Sequence, residues 1–260
     1  MLTEQLARRP SRRHDVGYWL LSSDGRVYCF GAAHFCGSLG QFGVAQEARA
    51  IAPCGSGYLV ATESGAVAAF GGARYHGSTG GFPLGSPVVG IAATEEGDGY
   101  WLATAGGEVA AFGRAPDYLC GETCTSNAPV VALSAAAGPS FWLAAADGGV
   151  FSYGTAPFHG SAARYELREP VVGMATRRDT NGYWLVAADG GVVCFGTAAF
   201  HGSLAGAELP APVVGMAPTP SGDGYWLACA DGTVAAFGRA PDLGGVRIPD
   251  GSVVAILAAR

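Results

Sequence analysis

Lysine is absent from this 260-residue chain, and all fifteen basic side chains are arginine. Charge of either sign is scarce, at 14% of residues, and the formal net charge is −6. That balance excludes a nucleic-acid footprint over the body of the protein, because phosphate binding needs clustered cations. The one basic stretch is N-terminal, where Arg8, Arg9, Arg12, Arg13 and His14 fall within residues 1–16. It reads as a solvated arm, with docking to an acidic partner as the alternative. No run of eighteen apolar residues exists, so no membrane span is expected. The opening MLTEQLARRPSRRHD lacks the apolar core of a secretion signal. Seven cysteines is an odd number, and Cys29 and Cys194 share a repeat position with Ala and Ser. They read as small buried residues in a reduced, cytoplasmic, monomeric protein, although a processed exported chain would have the same composition. Missing too are the nucleophile elbow, the P-loop, HExxH and the dinucleotide fingerprint, so no cofactor is expected. Helical periodicity is lacking, and 42 Gly and 15 Pro are too many for long helices.

What the chain has in place of these is repetition. GYWLVAADGGVVCFGTAAFHGS, from Gly182 to Ser203, returns as GYWLACADGTVAAFG from Gly224. The aromatic of the GYWL word falls at Tyr18, Tyr58, Tyr100, Phe141, Tyr183 and Tyr225, with spacings of 40, 42, 41, 42 and 42. A period of about 40–45 with strand-like content is the mark of a β-propeller, one four-stranded blade per repeat. Each copy offers a short apolar run such as PVVGMA, the GYWL strand, an Asp-Gly or Gly-Gly turn, a GVVCFG strand and a final FHGS strand. Trp19, Trp101, Trp142, Trp184 and Trp226 recur at one position, read as packing wedges between blades and not as a stacking ring for ligand. The chain begins with a second strand at Gly17 and ends with a first strand, Ser252 to Arg260. Together they complete one blade, which leaves no open edge. The expectation is therefore an all-β, six-bladed propeller over residues 17–260, closed by its C-terminal strand.

These phrases resemble the RCC1-like propellers, whose repeats take the form VVxIAxG…HSLAL…DGxVYxWGxNxxGQLG. The likeness lies in Val171-Val172-Gly173-Met174, in Leu20-Leu21-Ser22-Ser23-Asp24-Gly25-Arg26-Val27-Tyr28-Cys29-Phe30-Gly31, and in Gly37-Ser38-Leu39-Gly40. The copies are also similar to shorter actinobacterial tandem repeats of the GYWLVASDGGVFAFG type. The resemblance covers residues 17–260 and implies the propeller fold. It departs from RCC1 proper in having six short repeats instead of seven longer ones, and Phe where that family has Trp before Gly. Exchange activity and chromatin binding are not implied, since no matching functional loop is present.

His76, His159 and His201 share one repeat position, to which Cys36 and Cys120 are also assigned. That position belongs to the outermost strand, about 14 Å beyond the innermost at about 4.8 Å per strand, so the copies cannot meet on one metal ion. Cys120 and Cys124 form a lone CxxxC, a chance pair or an occasional disulfide, and no metal site is expected. Small residues recur on the inner strands at Gly90, Ala132, Gly173, Gly215 and Ala255, which lets six strands crowd around the axis. Only residues near that axis can converge from different blades. The loops leading into the inner strands bring Glu47, Arg49, Asn127, Arg168, Glu169 and Asp250 to one mouth, and these are the candidate ligand-binding residues. The opposite mouth receives Glu95, Glu96, Arg177, Arg178 and Asp179. The function expected is a binding module that presents an axial face to a protein or small molecule. The alternative is an enzyme using carboxylates such as Glu47 and Asp250 with Arg168 as anion holder. A glycan-binding lectin, with exposed aromatics between blades, is the third reading.

Overall fold

The GYWL words form the central strands of six three-stranded antiparallel sheets in the computed structural model, which describes residues 16–42, 47–81, 83–119, 123–248 and 252–259. The first sheet contains β1 (Gly17–Ser22) and β2 (Val27–Gly31), and the second β3 (Ala48–Cys54), β4 (Gly57–Thr62) and β5 (Val67–Phe70). The third holds β6 (Val88–Ala93), β7 (Gly99–Thr104) and β8 (Val109–Gly113), and the fourth β9 (Val130–Ala135), β10 (Phe141–Ala145) and β11 (Val150–Tyr153). The fifth holds β12 (Val171–Thr176), β13 (Gly182–Ala187) and β14 (Val192–Gly196), and the sixth β15 (Val213–Pro218), β16 (Gly224–Cys229) and β17 (Val234–Gly238). The last strand, β18 (Val253–Ala258), returns to the first sheet and pairs with β1 from Tyr18↔Ala258 to Ser22↔Val253. One sheet is thus assembled from both ends of the described chain. The basic residues Arg8 to His14 lie outside the described residues. A single 3-10 turn, Leu39–Phe42, is the only helical element among the described residues, none of which forms a helix long and apolar enough to cross a membrane.

Every central strand is buried along its whole length because both of its faces are covered. Side chains alternate across a strand, so consecutive residues enter opposite seams. Trp19 and Leu21 pack with Ile51, Tyr58 and Val60 of the second sheet. Tyr18 and Leu20 pack on the other side with Ala217, Trp226 and Ala228 of the sixth. The same exchange repeats at the other four seams, so the core is a set of six inter-sheet layers. The first strands touch in cyclic order, β3 to β6, β9, β12, β15, β18 and back to β3.

The tryptophans are wedges, as read from the sequence. Trp101, Trp142, Trp184 and Trp226 are fully buried, and each indole N–H donates to a carbonyl fifteen residues on, at Pro116, Pro157, Ala199 and Pro241 (2.8–2.9 Å). The tyrosines do a second job. Tyr183 Oη donates to the Gly160 carbonyl (2.6 Å) and accepts the His159 N–H (3.2 Å), both from the preceding repeat. Tyr58 and Tyr225 repeat the pattern with Gly37 and Gly202, at 2.6 and 2.5 Å, and Tyr100 does so with Gly77. Tyr18 donates to Gly244, which latches the sixth repeat onto the first. The fourth sheet has Phe141 instead, and there Tyr118 of the preceding repeat supplies the hydroxyl, donating to Pro139 (2.6 Å). Burial pushes the latch phenols up, Tyr58 to about 12.

Two expectations are corrected here. The FHGS segments form no strand among the described residues. Each instead docks on the adjacent hairpin through one backbone bond, for example Leu39 N–H to Gly25 and Leu204 N–H to Gly190. Further backbone groups of these segments are taken by side chains, for example His159 N–H and the Gly160 carbonyl by the Tyr183 phenol and the Pro157 carbonyl by the Trp142 indole. The position shared by His76, His159 and His201 is occupied in the third repeat by Tyr118, six residues after Phe112, and not by Cys120, which lies outside the described residues. The histidines serve as inter-repeat clamps: Nε2 of His76, His159 and His201 meets the carbonyls of Gly97, Thr180 and Gly222 at 3.4, 3.1 and 3.1 Å. Among the described residues no cluster of metal-ligating side chains exists. Cys124 is a free buried thiol.

Replacing Tyr183 by Phe removes one donor and one acceptor from half-buried backbone groups of the preceding repeat. The expected loss is about 1–3 kcal/mol, read as a lowered midpoint in urea with unchanged slope.

The inner strands approach as their small residues predict. A Cβ on Gly90 would stand 2.7 Å from Leu133 Cβ, whereas on Gly215 it would meet nothing nearer than Ile256 Cγ2 at 3.5 Å. Gly90→Ala is therefore expected to destabilise by about 1–3 kcal/mol through overpacking, and Gly215→Ala to be neutral or mildly stabilising, in parallel thermal melts.

Candidate functional site

Six inner strands around one axis enclose a cavity of about 580 Å³. Its wall is mixed: one apolar side chain comes from each sheet, Ile51, Ile91, Leu133, Met174, Met216 and Ile256, all at one register position, and Ser134, Thr176, Thr180 and Thr219 add polar surface. Ser134 Oγ donates to Thr176 Oγ1 (3.2 Å) across one seam at its side. The cavity opens at the ends of the inner strands, where hairpins lead into the central strands. The charged groups lining it there are Glu95, Arg177, Arg178 and Asp179.

The hairpin between β12 and β13 differs from the others. Four of its counterparts carry Gly55, Gly97, Gly138 and Gly222 with φ between 58° and 69°, and at the matching position the fifth sheet has Thr180 at φ 55°. It is the only non-glycine with positive φ among the described residues. A β-branched residue is strained in that region by roughly 1–3 kcal/mol, and such strain collects at ligand clamps. The neighbours change with it. Where the third and sixth sheets have Thr94 and Thr219 bonded to Asp98 and Asp223 (2.9 Å each), the fifth has Arg177 and Asn181. Arg177 lies against Gly222 of the next sheet, and Asp179 holds its guanidinium through Nε (3.0 and 3.3 Å) and Nη2 (3.0 Å). The Arg177 hydrogen bonds, with the Asn181 N–H, hold the Asp179 carboxyl below the usual carboxylate range, and the pair raises Arg177. His159 from the preceding repeat fixes the turn from outside through the Thr180 carbonyl. Arg178 and Glu95 are exposed and make no ion pair among the described residues.

The residues expected at the other mouth are not drawn into an enclosed space. Arg49 is exposed on β3, and Asn127, Arg168 and Glu169 are exposed on the segments before β9 and β12. Glu47 lines an open cleft of about 650 Å³ with Glu63, Ser64, Leu84, Gly85, Ser86 and Pro87. None of the five lines the axial cavity, and Asp250 lies outside the described residues. Glu96 is exposed beside Glu95. The sign that could have singled out the fifth hairpin was in the text: RRDTNG stands where the third and sixth repeats read TEEGDG and TPSGDG.

Burial raises the thiols of Cys29, Cys124, Cys194 and Cys229, which disfavours their thiolate forms. Compared with known proteins, the sequence matches no family and no curated protein.

Thr180→Gly is expected to relieve the turn and raise the melting temperature of the free protein by about 2–4 °C, the equivalent of about 1 kcal/mol. A lowered melting temperature would contradict the strain.

Proposed function

We propose that the six sheets form a closed six-bladed β-propeller of the kind its repeats resemble, with each outer segment as the latched fourth element of a blade. We further propose that the ring is a binding module for a small molecule. The apolar body of the ligand rests on the axial wall, and an anionic group is taken by Arg178 beside the fixed Arg177. What carries this reading is the coincidence of three departures from the repeat in one hairpin at the rim of the axial cavity. The strained Thr180, the Arg177–Asp179 clamp and the unpaired Arg178 lie within four residues. Pre-formed concave sites with an apolar lining and a few placed polar groups are where small ligands bind. The Arg177–Asp179 clamp holds the turn that carries Arg178, which lowers the ordering cost of binding.

A second reading has its own support. Phe35, Tyr75, Phe158 and Phe200 share one position on the outer segments and are 56–61% exposed. Singly placed aromatics on a rim suit stacking against sugars, and this favours the lectin reading over a protein-docking face, which would need a contiguous apolar patch.

Thermal unfolding against a panel of anionic amphiphiles, sugars and divalent ions separates the two. The axial reading expects an anionic amphiphile to raise the midpoint in the wild type and in Arg168→Ala but not in Arg178→Ala. A shift lost in Arg168→Ala and kept in Arg178→Ala would move the site to the opposite mouth. A shift seen only with sugars and lost in Phe158→Ala would favour the lectin.

A further inference from the structure

We infer that the axial cavity takes a zwitterion, its cationic group facing Glu95 and its anionic group facing Arg178. The inference rests on the axial reading above and adds the identity of the second charge. Three hairpins at the cavity mouth have the same length, each closed by a bond from its first N–H to the carbonyl five residues on: Thr94 to Gly99, Arg177 to Gly182 and Thr219 to Gly224 (2.9–3.0 Å). Their second positions are Glu95, Arg178 and Pro220, and all three line the cavity. Elsewhere the mouth is lined by Pro53, Ala136, Ala137 and Ala259, which carry no side-chain charge. The repeat therefore sets one acid and one base at equivalent places on the third and fifth sheets, with the uncharged fourth between them.

Of the other ionic groups near this mouth, Glu96 is exposed and does not line the cavity, and three acids have an arginine partner on their own sheet. Arg177 pairs with Asp179 at 3.0 Å, Asp98 with Arg114 at 3.9 Å, and Asp223 with Arg239 at 3.9 Å. Glu95 and Arg178 alone line the cavity as full charges with no ionic partner among the described residues. This arrangement selects by repulsion as well as attraction. A simple anion bound at Arg178 would face the Glu95 carboxylate across the mouth, and a simple cation at Glu95 would face Arg178. A ligand carrying both charges on one apolar chain answers both, while its methylenes lie on the ring of Ile, Leu and Met side chains.

The test is calorimetric titration of the intact protein with straight-chain ω-amino carboxylates from 4-aminobutanoate to 8-aminooctanoate. Each is compared with the carboxylate and the amine of the same length. In the wild type, one member of the series is expected to bind about tenfold or more tightly than either singly charged analogue, the yield of one charge-assisted contact. Glu95→Gln should reduce that zwitterion to the affinity of its carboxylate analogue, and Arg178→Gln to that of its amine analogue. The exchange Glu95→Arg with Arg178→Glu should restore the preference. Both side chains are exposed, so the melting temperature of each free variant should match the wild type and show that the fold is intact. If the carboxylate binds as well as the zwitterion and Glu95→Gln changes nothing, the zwitterion inference is overturned while the anion-binding reading stands. If no member of any of the three series binds the wild type, both are overturned.

Discussion

A three-stranded sheet of this composition has two apolar faces and cannot cover either by itself. Five of the six seams are closed by a central-strand tyrosine whose hydroxyl reaches into the repeat before it, and at the seam of Phe141 the hydroxyl comes from Tyr118 of the preceding repeat. The Tyr183 phenol, between the Gly160 carbonyl and the His159 N–H, is the pattern that Tyr58, Tyr100 and Tyr225 repeat. Tyr18 applies it between the two ends of the chain. Stability is then shared among neighbours, in the way of other repeat architectures. The same contact that joins two sheets also fixes the outer segment, because the hydroxyl bonds two of its backbone groups.

The cavity depends on that seam geometry. Small inner residues such as Gly90 and Gly173 allow the first strands to come together, and the apolar side chains one position further along line the space they enclose. A regular scaffold makes a departure informative. Thr180 holds a glycine conformation, and it can do so because the Arg177–Asp179 clamp and the His159 clamp over-determine the turn. The cost of that conformation is carried by the packing of two seams.

Much of the architecture was legible in the sequence. Asp-Gly turns between apolar runs gave the hairpins, continuous burial of GYWL gave the central strands, and the incomplete first repeat gave the pairing of β18 with β1. The outer segment was not, because its hydrogen bonds go to phenol and indole groups of other strands, and a pattern of apolar and polar residues does not carry that information. Cys120 was a miscount: the shared position lies six residues after the third-strand aromatic, which is Tyr118 after Phe112, and the contact of Tyr118 with Phe141 agrees. The site was half legible. Charged, non-repeating hairpins pointed to both mouths, but which mouth is enclosed depends on how far the inner strands converge. That is a property of packing and not of spacing. Thr180 in place of Gly was readable, but it gained meaning only with its φ angle.

The account stands on the ring being held shut by β18 lying against β1. Hydrogen exchange of the peptide spanning Val253–Ala258, followed alongside that of the central strands β13 and β16, tests this most directly. If the ring is closed, the β18 amides exchange with the central strands, through global unfolding. Exchange of β18 several orders of magnitude faster, with β13 and β16 still protected, would show a ring that opens at that seam and would contradict the account.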